Sequence, residues 1–164
     1  MDMDILRRRL TSDEINDLPL YHYTGPVLVI RSLNDWKQAL PDLQDENLLG
    51  FDTETRPSFR KGRRNAPALI QLATARSVYL VQLANLPFGA PVAEILANPS
   101  QVKAGVGIGD DMRDLARLHA FEPAGLVDLG GVARAHRLSS QGLRTLAANL
   151  FGWRISKGSQ CSNW

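Results

Sequence analysis

The sequence predicts an α/β fold in which a mixed β-sheet is flanked by helices. Two observations carry this. Four short apolar, β-branched runs come first, at 27–30, 48–54, 68–73 and 77–81. The last two are separated only by Thr74, Ala75 and Arg76, the spacing of an antiparallel hairpin. Strand and helix patterns then alternate from residue 102 onward, which adds parallel strands and covering helices. The regular βαβ alternation of a doubly wound nucleotide-binding fold is missing. At 164 residues the chain is long enough for one well-packed domain.

Taken in order, residues 1–26 form an N-terminal arm and 27–164 the domain. In the arm, Thr11 or Ser12 followed by Asp13 and Glu14 marks a helix start. Tyr21 to Pro26 breaks to a turn, leaving the arm either a flexible lead-in or packed on the body. After the strand at 27–30, Asn34 caps a short helix with Trp36, Ala39 and Leu40 inward, limited by Pro41. Pro91 opens a helix carrying Ala93, Ile95 and Leu96, and Asn98-Pro99 ends it. A fifth strand is expected at 102–108. Beyond Gly109 a helix turns Met112, Leu115 and Leu118 to one face, with Ala116 alongside, and Glu122-Pro123 stops it. Asp128 is a natural N-cap for the next helix. The last helix runs over 141–150, with Leu143, Leu146, Ala147 and Leu150 inward and Gly152 as its stop.

Composition narrows the function classes. A formal net charge of +2 does not itself point to a polyanionic partner. The single cysteine, Cys161, excludes an internal disulfide and fits a reducing compartment. Arg7-Arg8-Arg9 is followed by no apolar run of signal-peptide type, and no stretch approaches the length of a membrane span. A cytoplasmic protein with no membrane partner is the expectation. His22, His119 and His136 are scattered and form no triad. Trp36, Trp153 and Trp164 are expected in the core.

The chemistry begins at the end of the second strand. Asp52 and Glu54 stand at i and i+2, so both face the same side, roughly 7 Å apart. Two carboxylates so placed repel, and a divalent cation relieves the conflict. Oxygen-only ligands suit Mg²⁺ or Mn²⁺. A second acidic group, Asp110 and Asp111, follows Gly105, Gly107 and Gly109 where a strand gives way to a helix. The dinucleotide fingerprint G-x-G-x-x-G fails here, because its third glycine would fall at Asp110. Arg56, Arg60, Lys61, Arg63 and Arg64 lie within nine residues that contain no acid, directly after the Asp-x-Glu strand. There they are placed to meet a phosphate backbone. Pro57 and Phe59 shape the same loop, and Phe59 offers a ring for base stacking. Gln71, polar in an apolar strand, is a candidate contact to a terminal nucleotide, although strand alternation alone accounts for it.

The motifs Phe51-Asp52-Thr53-Glu54 and Gly105-Val106-Gly107-Ile108-Gly109-Asp110-Asp111, with Leu115, resemble the first two motifs of the DEDD-type 3′–5′ exonucleases. The likeness is to the ribonuclease D and Werner-exonuclease branch. The run 142–147, Gly-Leu-Arg-Thr-Leu-Ala, and then Lys157, Gln160, Ser162, Asn163 and Trp164 are similar to that branch's G-L-x-x-L-A and K-x-x-Q-x-S-x-W segment. The resemblance covers about residues 27–164. It implies a ribonuclease H-like fold and 3′–5′ hydrolysis of DNA or RNA by two Mg²⁺ or Mn²⁺ ions. Asp52, Glu54 and Asp111 are the implied metal-binding and catalytic acids, with Asp110 left to capping or solvent. The family's third motif, Tyr-x-x-x-Asp, has no counterpart: no tyrosine follows Tyr79 and no aspartate follows Asp128. The fold is therefore expected to be truncated at the C-terminal helix and activity to be impaired. The truncated face is expected to leave apolar surface for self-association. A catalytically inactive nucleic-acid-binding or protein-interaction module on the same fold is the main alternative. A nucleotide-binding protein using the glycine loop ranks last.

Overall fold

The computed structural model describes residues 8–55 and 65–156. Its six strands are β1 (Val27–Ile30), β2 (Leu48–Thr55), β3 (Pro67–Ala73), β4 (Val78–Gln82), β5 (Val102–Gly105) and β6 (Leu126–Asp128). They form one sheet in the order β1-β4-β3-β2-β5-β6. β2, β3 and β4 are antiparallel neighbours, while β1, β5 and β6 each add in parallel. The mixed sheet is thus the one expected. β6 is a strand that the sequence pattern did not separate from the helix after it.

The helices are α1 (Ser12–Asp17), α2 (Leu33–Asp45), α3 (Ala90–Ala97), α4 (Ile108–Leu118), α5 (Leu129–Ala135) and α6 (Leu143–Phe151). On β2, Leu49, Phe51 and Thr53 are buried and alternate with Gly50, Asp52 and Glu54. Leu49 and Phe51 pack with Ile70, Leu72 and Val81 of the sheet against Trp36 and Leu43 of α2, Leu96 of α3, and Met112 and Leu115 of α4. Asp52 and Glu54 stand on the other face of β2.

Several boundaries differ from the sequence pattern for local reasons. Ser32, not Asn34, caps α2, its hydroxyl accepting from the Asp35 amide at 3.1 Å. Pro41 does not end that helix. It sits inside it with its ring exposed, so the carbonyl deprived of a partner can turn to water. Asp42 then ties α2 to the β3–β4 turn, accepting from Thr74 Oγ1 at 2.9 Å, Tyr79 Oη at 2.8 Å and Arg76 Nε at 2.8 Å. β5 stops at Gly105, three residues early. Gly107 adopts φ 75°, in the left-handed region, and launches α4 at Ile108. Leu118, Leu143 and Trp153, expected inside, are 46%, 52% and 39% exposed. Leu118 ends α4 and Leu143 opens α6, where side chains run past the packed part of each helix.

The arm packs on the body. Thr11 and Glu14 form a reciprocal capping box at α1, and Ile15 is buried. Leu20 bridges to Arg154, with the Tyr21 amide donating to Arg154 O and the Arg154 amide to Pro19 O, both at 2.9 Å. Tyr21 stacks on Trp153, ring centroids 4.4 Å apart.

One core residue contradicts its type. Lys103, on β5, is 0% exposed. Its Nζ donates to the carbonyls of Asn98 and Gln101, at 2.7 Å each, just past the C-terminus of α3. Gln101, also buried, donates to Leu43 O at 2.6 Å and Glu46 O at 2.7 Å. Desolvation lowers the Lys103 pKa from 10.5 to about 8. The neutral amine still carries two hydrogens for its two carbonyls, so the contact survives deprotonation. Because the folded value lies below the ordinary one, the unfolded chain binds more protons between about pH 8 and 10.5. The contribution of Lys103 to stability therefore rises with pH through that window. In urea denaturation, Lys103→Ala is expected to lower the unfolding free energy by about 2–4 kcal/mol, through a cavity and two unpaired carbonyls. The slope of stability against pH over the same window should flatten in that variant.

Candidate active site

β2 and β3 form the floor. Their antiparallel register sets Asp52 opposite Gln71 and Gly50 opposite Ala73. A cleft of about 460 Å³ opens over this floor, lined by Gly50, Asp52, Gln71, Ala73, Ala104 and Gly105, with Leu129 and Leu143 also on its walls. Gly105 permits the close approach of β5 to β2: a Cβ there would lie 2.2 Å from Phe51 O. No side chain fits, so the glycine is fixed by contact rather than by dihedral angle.

Asp111 arrives from the first turn of α4. Its Oδ1 accepts a hydrogen bond of 2.6 Å from Thr53 Oγ1, which ties α4 to the strand bearing Asp52 and Glu54. Asp110 behaves differently and pairs with Arg113 one turn along the same helix. Asp111 is thus the one of the two that turns back onto β2. The three carboxylates stand close enough to disturb one another electrostatically. They do not all line one cavity, since the cleft takes in Asp52 but neither Glu54 nor Asp111. Among the described residues no three His, Cys, Asp or Glu side chains converge closely enough to hold an ion. Arg56, Arg60, Lys61, Arg63, Arg64 and Phe59 lie outside the described residues, as do Lys157, Gln160, Ser162, Asn163 and Trp164.

A family model described as 3′–5′ exonuclease matches residues 28–164. The chain belongs to the 3′–5′ exonuclease family. It is 29% identical over 159 residues to the bifunctional 3′–5′ exonuclease/ATP-dependent helicase WRN of Mus musculus, a match covering 91% of this chain and 11% of that protein. The chain therefore spans only about a tenth of that relative's length. Among solved structures, the Aedes aegypti Nibbler EXO domain superposes with a TM-score of 0.75 at 22% identity, covering 89% of this chain and 78% of that one. Trypanosoma brucei RNase D in complex with RNA U12 gives a TM-score of 0.71 at 17% identity, covering 84% of this chain and 50% of that one. The mixed sheet flanked by helices is the ribonuclease H-like exonuclease fold.

Within this exonuclease domain the two acids of β2 have raised carboxyls. Asp52 is pushed up from 3.8 to about 6, first by desolvation and then by the charges of Asp111 and Glu54, against the opposing pull of the Thr53 amide. The residue is nevertheless exposed, so solvent screens its carboxylate. Glu54 is raised by desolvation and by Asp111. Asp128 is lowered, chiefly by the Gly107 amide. Hard oxygen donors with unrelieved mutual repulsion fit a divalent cation in kind.

The sequence missed Thr53. Alternation places it on the core face, away from Asp52 and Glu54, and nothing in Asp-x-Glu marks the middle residue as a partner of Asp111. A buried hydroxyl on a core strand was the one available signal.

The raised Asp52 carboxyl sets a sign. The folded exonuclease domain binds more protons than the unfolded chain between about pH 3.8 and 6, so this residue costs stability as pH rises through that window. Asp52→Asn is expected to raise the melting temperature at pH 7 in metal-free buffer and to leave it little changed at pH 3.5. Thermal unfolding monitored by circular dichroism at the two pH values checks this.

Proposed function

We propose that this chain is a divalent-metal-dependent 3′–5′ exonuclease domain that hydrolyses nucleic-acid phosphodiester bonds from the 3′ end. The observation that carries it is that Asp52, on the floor of a cleft, feels the charges of Glu54 and Asp111, the latter tied to the same strand through Thr53. Asp52, Glu54 and Asp111 are the oxygen donors for Mg²⁺ or Mn²⁺ in this proposal. When bound, two such ions supply an activated water and offset charge on the leaving 3′ oxygen. The chain's own residues do the rest. Gly50, Ala73 and Ala104 keep the floor low enough for a sugar–phosphate backbone to lie close. Gln71, beside Asp52, offers an amide to the terminal nucleotide. The basic run from Arg56 to Arg64 follows β2 directly and is assigned the phosphates beyond. The complex of the Trypanosoma brucei RNase D with RNA supports a nucleic-acid ligand, without deciding between DNA and RNA.

A second reading is favoured by one observation: no three acids already converge on an ion among the described residues. It is a module on the same fold that binds nucleic acid without cutting it.

A 5′-labelled oligonucleotide incubated with Mn²⁺ should shorten from its 3′ end. Asp52→Ala should slow this by at least about 10²-fold, and chelation should stop it. Salt-sensitive binding with no shortening in Mn²⁺ would move the assignment to the binding module.

A further inference from the structure

We infer that Asp128 is a positioning residue for Asp111, acting through a clamp on the glycine that starts α4. The inference deepens the exonuclease reading and rests on it for its functional meaning. Gly107 is the N-cap of α4, and no side chain of its own caps the helix. Asp128, at the end of β6, supplies what is missing from across the sheet. Its Oδ1 accepts from the Gly107 amide at 3.0 Å and from the Gly130 amide at 2.9 Å. One carboxylate oxygen thus fixes the starts of two helices, α4 and α5.

The consequence for Asp111 follows from the geometry. Asp128 pairs with Gly105 in the β5–β6 register, so the clamp spans the turn from 105 to 108. One side of that turn is already fixed, because Gly105 lies against Phe51 O with no room for a Cβ. The clamp fixes the other side. Asp111 lies four residues beyond Gly107, one helical turn, and its carboxylate must meet Thr53 Oγ1 at 2.6 Å. A hydrogen bond of that length does not survive a shift of about 1 Å in the helix start. With Gly107 released into its permissive dihedral range, Asp111 would be left to the Thr53 contact and to the buried residues further along α4, among them Met112 and Leu115. Capping of α5 alone explains the Gly130 bond and leaves the Gly107 bond unexplained.

Asp128→Ser separates the two roles. A serine hydroxyl caps a helix in the ordinary way, so α5 keeps its cap, but the side chain is too short to reach Gly107. Asp128→Asn retains a carbonyl oxygen for both amides. Amide exchange and chemical shifts read by NMR, with Mn²⁺ calorimetry, should separate the variants. In Asp128→Ser the Gly107 amide should exchange at least about tenfold faster, since a local opening costs less. The resonances of Asp111 and Thr53 should move, and the Mn²⁺ dissociation constant should rise about tenfold, as for other groups that orient ligands from behind. Asp128→Asn should match the wild type in all three. The clamp is overturned if the Asp111 and Thr53 resonances stay put in Asp128→Ser, or if Asp128→Asn weakens Mn²⁺ binding as much as Asp128→Ser does. Should the wild type bind no Mn²⁺, the exonuclease reading fails, and the exchange and shift data still decide the clamp.

Discussion

The hydrogen bond from Thr53 to Asp111 is the constraint on which the arrangement of acids depends. It joins a helix start to the end of a central strand, at a point where three negative charges gather. Two carboxylates about 7 Å apart repel by roughly 2 kcal/mol at an effective dielectric near 20. A hydrogen bond to a charged group is worth about 1.5–3 kcal/mol. The two are of the same size, so the bond offsets about one such repulsion and leaves the rest to packing. That packing is visible. Ile108, Met112 and Leu115 bury α4 against the sheet, and Gly105 lets β5 close on β2. The Asp52 carboxyl stays raised, first by desolvation and then by the charges of Asp111 and Glu54.

Much of this was legible in the residues. The hairpin of β3 and β4 follows from the short connection between two apolar runs, four residues in the structure. Asp128 as an N-cap and Gly152 as a helix stop are confirmed by the Gly130 amide and by φ 66°. Asp52 and Glu54 fall on one face because strand alternation demands it. The choice of Asp111 over Asp110 as the carboxylate facing β2 came from family likeness, and helix geometry explains it: one residue is 100° around the axis, enough to separate Thr53 from Arg113 as partner.

What was illegible depended on partners distant in sequence. Lys103 reads as a polar strand residue, and only the carbonyls of Asn98 and Gln101 make its burial tolerable. Pro41 reads as a helix stop, and only its exposure lets the helix continue. Leu143 reads as core from its spacing to Leu146 and Ala147, yet it stands on the wall of the cleft. It also borders a second, apolar groove of about 560 Å³ with Leu129, Val132, Phe151 and Trp153. Periodicity identifies a helix face; it does not say what lies opposite that face.

The arm is packed against the chain that follows the last helix. Ile15 is buried, Tyr21 covers Trp153, and Leu20 pairs with Arg154 immediately after α6. α6 in turn carries Leu143 to the cleft wall. A protein trimmed to begin at Val27, where the sheet starts, would uncover the far side of the helix that shapes one bank of the cleft. Shortening the chain at its front end would therefore be felt at its centre.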